Sequence, residues 1–266
     1  MRRSVSCRIE ADVVEPTDLV LSVALAAGAR LEAESLVVTL GDTEVGCREV
    51  IADHGTRLHI VDGAGPGRLV VTYAATATGD GTPAPVADID PVRYLRPSRY
   101  CESDRLTGFA RDQFRGLHGA ELVRSVSSWV GQRVAYVSGS SRPTDGAVAT
   151  LLAREGVCRD FAHLVTALLR ACDVPARLVS VYAPGLHPMD FHAVTEALVD
   201  GRWLVVDATC LAPRSSLLRI ATGRDAADTA FLTSTGTTLE LVSLDVSATT
   251  EGDLPDDDIG RDVVLA

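Results

Sequence analysis

The sequence predicts an α+β protein in which a small all-β, sandwich-like domain precedes a domain of helices followed by strands. Three observations carry that prediction. Residues 1–78 hold only short runs rich in Val, Leu and Ile, several alternating apolar with polar and separated by turn clusters. From Ser103 apolar residues recur instead at three- and four-residue intervals. Beyond Ala171 strand-like runs return, two of them joined by the strong turn dipeptide Asp200-Gly201.

Taken in order, strands are expected in SVSCRIEADV, LVLSVAL, SLVVTL, RLHIVD and RLVVTYAAT, a spacing typical of a small sandwich. This half reads as a packing domain, with a partner-binding module as the alternative. Residues 79–91, rich in Gly, Pro and Asp and without period, form the expected linker to a domain over 92–247. Its helices are expected in DRLTGFARDQFRG, AELVRSVSSWVGQRV, GAVATLLARE and the segment opened by Cys158, with Thr144 or Asp145 capping the third. Its strands are expected in ARLVSVYAPG, DFHAVTEALV and RWLVVDAT. Residues 248–266 carry six acids against one arginine from Glu251 onward and read as a solvated acidic tail.

The formal charge of -11 argues against a nucleic-acid or anionic-membrane partner, since both need a basic surface. The longest apolar run, Leu19 to Ala29, is shorter than the ~20 residues a bilayer requires. Arg8, Glu10 and Asp12 interrupt the N-terminus before a secretory signal can form, so a cytoplasmic protein is expected. Six cysteines lie far apart at 7, 47, 101, 158, 172 and 210, and most are expected free, without disulfides. A zinc site from Cys158, Cys172, Cys210 and His192 would match no short paired spacing. No metal or cofactor is expected.

Cys158 follows Gly156 at the head of a helix whose apolar positions are Phe161, Leu164, Val165, Leu168 and Leu169. Unpaired N–H groups and the helix dipole favour negative charge there, and so a thiolate. From position alone, a packed, inert cysteine is the favoured reading. A nucleophile also needs a base within reach and a group that orients the base.

If Asp200-Gly201 is the turn, Val199 pairs with Arg202, Asp207 lies opposite Val194, and His192 lies opposite Thr209. His192 and Asp207 then share one face as diagonal neighbours. Glu196, Trp203 and Thr209 complete that mostly polar face, while Phe191, Ala193, Ala197, Val199, Leu204, Val206 and Ala208 form an apolar core face. A one-residue slip would destroy the arrangement. The alternative is a surface His and Asp on the wet side of an ordinary hairpin. His163 reads as a packed helix residue and His187 as an exposed loop residue able to line a groove.

GVCRDFAHL, followed by DFHAVTEALVDGRWLVVDAT, resembles the core of the transglutaminase-like superfamily, in its bacterial cysteine-peptidase branch. RYLRPSRYCESDRL, YVSGSSRPT, VPARLVSVYAPG and LAPRSSLLRIATGRDAADTAF match as well, so the resemblance runs over residues 92–235. It implies a papain-like core with the nucleophile opening a central helix against an antiparallel sheet. It also implies a catalytic triad of Cys158, His192 and Asp207. Two positions depart from the pattern: Val181 stands where glycine usually precedes the strand-end tyrosine, and Val194 where branch members often carry an aromatic.

Oxyanion donors are expected at Tyr136 and Ser140, and a substrate groove at Asp160, His187, Trp203 and Arg214. Arg159, Arg214 and Arg224 would make that groove basic, and Asp160, Arg224 and Asp225 are expected to pair among themselves. The implied activity is thiol-dependent acyl transfer from a peptide or protein amide through a thioester. Hydrolysis is favoured, because water needs no second binding site. The alternatives are a non-catalytic scaffold on the same fold and a true cross-linking transglutaminase.

Overall fold

Alternation of buried and exposed residues along the first strand dictates a sheet with one packed face and one wet face. The computed structural model describes residues 1–236 and 239–265. Its first seven strands are β1 (Arg2–Val13), β2 (Thr17–Leu21), β3 (Leu31–Leu40), β4 (Thr43–Glu44), β5 (Arg48–Ile51), β6 (Arg57–Ala64) and β7 (Gly67–Thr78). There follow α1 (Asp90–Arg93), α2 (Ser103–Gln113), α3 (Gly119–Arg133), β8 (Ala135–Tyr136), α4 (Ala147–Ala153), β9 (Glu155–Gly156) and α5 (Cys158–Ala171). The chain ends with β10 (Ala176–Tyr182), β11 (His192–Val199), β12 (Arg202–Val206), β13 (Leu218–Gly223), β14 (Leu232–Thr235) and β15 (Leu239–Thr250). This is the mixed α+β architecture that the sequence predicts.

The N-terminal unit is two sheets, ordered β15-β1-β7-β3-β4 and β14-β2-β6-β5. Ile9, Leu19, Leu21, Leu69 and Val71 fill the core with essentially no exposure. Each such side chain contributes about 1.5–3 kcal/mol of burial.

The expected boundary at 247 falls inside β15, which pairs antiparallel with β1 from Arg3↔Thr250 to Val13↔Leu239. The chain thus returns to its first domain, because the second edge of β1 needs a partner that only the C-terminal strand supplies. The expected linker is largely exposed and without regular structure up to Ile89, and only its end is pinned: the Asp90 carboxylate is buried and accepts the Ala87 N–H at 2.9 Å.

The second unit sets α5 against the sheet β12-β11-β10-β13. Every residue of α5 from Asp160 to Ala171 is buried, with Leu164, Leu168 and Leu169 packing on Ala197, Leu204 and Val206. Asp200 (φ 48°) and Gly201 (φ 72°) form the hairpin turn, and Val199↔Arg202 through Thr195↔Val206 follow the predicted register. At the N-terminus of α4, Gly146 stands at the cap with no side-chain bond. Asp145 instead accepts the Arg142 N–H at 2.8 Å, and Glu102 reaches in from α2 to the Val148 N–H at 3.4 Å.

The face expected to be wet is buried. Glu196 is fully enclosed, with Oε2 2.6 Å from Arg177 and Oε1 2.5 Å from Arg219. The Arg177 guanidinium lies 3.8 Å over the Trp203 ring, and its Nη1 is 3.0 Å from His54 Nδ1 of the N-terminal unit. Leu218, Ile220 and Ala221 join the sandwich core, and the Tyr182 hydroxyl donates to the Val23 carbonyl at 2.9 Å. The N-terminal unit is therefore the floor under the second sheet, and its packing explains why polar residues there are paired rather than solvated.

Candidate functional site

The first turn of α5 is fixed before any chemistry is considered. Val157 is extended, and the Asp160 carboxylate reaches back to its N–H at 2.8 Å. Gly156 is required beside it, because a Cβ there would sit 2.6 Å from Asp160 Cβ. Arg159 Nη2 in turn lies 3.0 Å from Asp160 and 2.9 Å from the Arg142 carbonyl. Cys158 is thus held half-buried at the positive end of a long buried helix.

The short parallel pair β8–β9 brings a second residue to this point. Tyr136 pairs with Gly156, and the Val137 N–H donates to the Gly156 carbonyl at 3.0 Å. The Tyr136 phenol is thereby brought near Cys158, whose thiol and backbone both act on its ionisation. Local burial, reinforced by Cys158, raises the phenol to about 12, so it stays protonated at neutral pH.

His192 and Asp207 come from the two strands of the hairpin. His192 Nε2 lies 2.7 Å from Asp207 Oδ2, and both side chains are almost wholly buried. Asp207 Oδ1 accepts the Thr209 N–H at 2.9 Å and its hydroxyl at 2.7 Å. Burial pulls the imidazole pKa down, but the Asp207 charge and hydrogen bond, followed by Cys158, raise it to about 10. Burial opposes ionisation of Asp207 as well, yet His192 and Thr209 hold it below the usual carboxylate range. Nδ1 of His192 is buried without a hydrogen-bond partner, on an imidazole whose proton affinity the Cys158 side chain raises.

The remaining predicted residues lie elsewhere. The Ser140 hydroxyl donates to the Val137 carbonyl at 2.8 Å and is spent within its own turn. Asp160 caps the helix, Trp203 is buried beneath Arg177, and His187 is exposed in the loop between β10 and β11.

Arg214 binds the C-terminal segment: its side chain is 3.0 Å from Asp257 and donates to the carbonyls of Asp258, Arg261 and Val205. The acidic stretch 251–262 is largely exposed, as expected, but the chain is docked at its end, with Val263 accepting the Val205 N–H at 2.8 Å and Leu265 buried. Arg224 pairs with Asp228 at 2.9 Å, while Asp225 accepts the Tyr100 N–H at 2.9 Å. The expected Asp160–Arg224–Asp225 pairing is absent, and the expected basic groove is not formed, because each of its arginines is paired. His163 accepts the Ala226 N–H at 3.1 Å, stacks on Tyr100, and is pushed by burial down to about 4.

Two roles escaped the sequence reading. Thr209 orients Asp207 from two positions downstream, a local turn bond common for aspartate. Asp190 stands two positions before His192, and its charge acts on both His192 and Tyr136. The two-residue spacing within DFHAV was the available signal. No described group of His, Cys, Asp and Glu is arranged to hold a metal ion, and no helix is long and apolar enough to cross a membrane.

The model of the transglutaminase-like superfamily matches residues 105–208, the span from α2 through both strands of the hairpin. A crystal structure of a candidate cysteine protease from Cytophaga hutchinsonii superposes with a TM-score of 0.86. It is 32% identical over 97% of this chain and 94% of that one. The chain belongs to the transglutaminase-like superfamily. Among curated relatives, an uncharacterised Mycobacterium tuberculosis protein is 45% identical over 62 residues, 23% of this chain and 20% of its own length. An uncharacterised Mycobacterium leprae protein is 29% identical over 109 residues, 41% of this chain and 38% of its own. The chain therefore spans well under half the length of these relatives.

Proposed function

We propose that this protein carries out thiol-dependent acyl transfer at amide or peptide bonds, with Cys158 as nucleophile, His192 as base and Asp207 as its orienting partner. The observation that carries this reading is the 2.7 Å His192–Asp207 pair, whose unpartnered Nδ1 belongs to an imidazole coupled to a cysteine at a helix N-terminus. Nδ1 takes the thiol proton and the sulfur attacks the amide carbonyl carbon. The carbonyl electrons move onto oxygen, which the Cys158 N–H and the Tyr136 hydroxyl stabilise in this reading. Each such donor contributes about 3 kcal/mol. The imidazolium then protonates the departing amine, leaving a thioester. Water, deprotonated by His192, attacks the thioester, and the sulfur leaves and is reprotonated as the acid is released.

Hydrolysis is favoured over amine transfer, since water needs no second binding site and the Cytophaga relative is described as a protease. A reducing, cytoplasmic setting suits the six free cysteines.

Peptide and isopeptide libraries incubated with and without an amine acceptor test the reaction. Wild type should release acid products, and Cys158→Ala should release none. At neutral pH iodoacetamide should label Cys158 at least tenfold faster than the half-buried Cys172. Equal labelling rates, together with unchanged turnover in Cys158→Ala, would leave a non-catalytic scaffold as the reading.

A further inference from the structure

Arg3 is out of keeping with its place in the fold. Alternation along β1 turns it inward with Val5, Cys7 and Ile9, and only 3% of it is exposed. Its Nη2 donates to the Gly79 carbonyl, Nε is buried without a partner, and Nη1 bonds to no described residue. No carboxylate among the described residues pairs with it; exposed Asp80 acts on its charge from beyond ion-pairing distance. Burial accordingly lowers the guanidinium pKa. A buried cation left with so little hydrogen bonding is costly unless an anion accompanies it.

Room for one lies beside it. A cavity of about 30 Å³ opens where β1 and β7 meet the segment after β2 and the start of β13. Arg3, Arg30 and Arg219 line it together with Gly28, Gly81 and Leu265, and no acidic side chain does. Arg30 is exposed and makes no ion pair among the described residues. Arg219 is paired with Glu196, and its carbonyl accepts the Ala26 N–H at 2.9 Å. In a chain of formal charge -11, a void lined by guanidinium groups and no carboxylate is a local inversion of sign. The volume limits the occupant, since it takes about one or two water-sized spheres and so a monatomic anion. A phosphate ester or a peptide is too large.

We propose that this cavity is a structural anion site that holds one chloride-sized ion against the Arg3 guanidinium. The ion receives the N–H donors that the protein leaves unused. Its charge offsets Arg3 and Arg30, while Glu196 already offsets Arg219. β1 and β7 belong to the N-terminal unit and β13 to the second sheet, so the ion sits on the seam between them. Binding there should appear as stability of the whole chain.

Thermal unfolding at fixed ionic strength, with sodium gluconate replaced stepwise by sodium chloride, reads the site, because gluconate is too large to enter. Wild type should gain about 2–4 °C in Tm, saturating with chloride. Arg3→Met removes the charge and keeps most of the bulk, and its gain should fall on the order of threefold or more. Arg8→Gln, on the wet face of the same strand, should keep the full saturating gain. Bromide soaked into crystals should give an anomalous peak beside Arg3, an observation that needs no variant.

Equal chloride gains in wild type and Arg3→Met overturn the proposal, as does a gain that never saturates. So does water alone beside Arg3 in the bromide crystals. A bromide peak there without a saturating response in solution marks an adventitious ion only, and overturns it as well. If Arg3→Met does not fold, the wild-type titration and the bromide position still decide.

Discussion

The His192–Asp207 pair combines two buried groups that each stabilise the other's charged form. The raised imidazole pKa contributes stability that is complete below its unfolded value of about 6.5 and is lost as pH rises through about 10. The depressed Asp207 contributes above its ordinary value near 3.8 and loses that contribution as pH falls through its lower folded value. The pair is therefore worth most between about pH 4 and 6.5. Asp207→Asn should destabilise by about 3–5 kcal/mol in that window, the usual result of orphaning a buried partner. Thermal unfolding measured from pH 5 to 10 should show the gap from wild type narrowing as pH rises. A gap of constant size would mean that the carboxylate matters for packing and Thr209 rather than for the imidazole charge. Glu196 makes a sharper case at the same scale, since it alone offsets Arg177 and Arg219 in a site where Arg177 has no exposure. Glu196→Gln should cost about 3–5 kcal/mol in denaturant unfolding.

The α5 helix does two tasks with one element. Its apolar residues build the core, and its first turn presents Cys158. The junction between these tasks is Gly156, where Asp160 folds back against the glycine to cap the helix. Gly156→Ala would place a methyl group 2.6 Å from Asp160 Cβ, a backbone-proximal atom that cannot swing away. The helix start must shift, at about 1–3 kcal/mol for overpacking. Cys158 labelling should slow more than global stability falls, because the displacement is centred on the nucleophile. Unfolding and iodoacetamide kinetics on the same preparation check this; parallel losses in both would place the glycine in the core alone.

The whole molecule is closed by its C-terminal strand and the segment beyond it. β15 completes the first sheet, and residues past Thr250 then cross to the second unit. There Val263 takes the Val205 N–H at the free edge of β12, Arg214 holds Asp257, and Leu265 is buried. A chain ending at Gly252 keeps every strand but exposes that edge. It should fold, lose about 2–4 kcal/mol from the lost burial and ion pair, and lose hydrogen-exchange protection at Val205. Unchanged protection there would show that the segment is dispensable to the edge.

Much was legible without coordinates where the signal is local. The Asp200-Gly201 turn settled the hairpin register, because a two-residue loop with both φ angles positive admits a single pairing. The glycine and helical period around Cys158 announced the start of α5. Contacts between distant residues were not legible. Whether a polar strand face is wet depends on what lies over it, and here the N-terminal unit covers it and pairs Glu196 and Arg177 out of solvent. The acidic composition after Glu251 described a soluble tail, but one ion pair with Arg214 and one buried leucine docked it. Local backbone preference thus determined the elements and brought Cys158, His192 and Asp207 within view. Only tertiary packing decided which charges were spent on structure, since pairing is a property of neighbours in space, not of position along the chain.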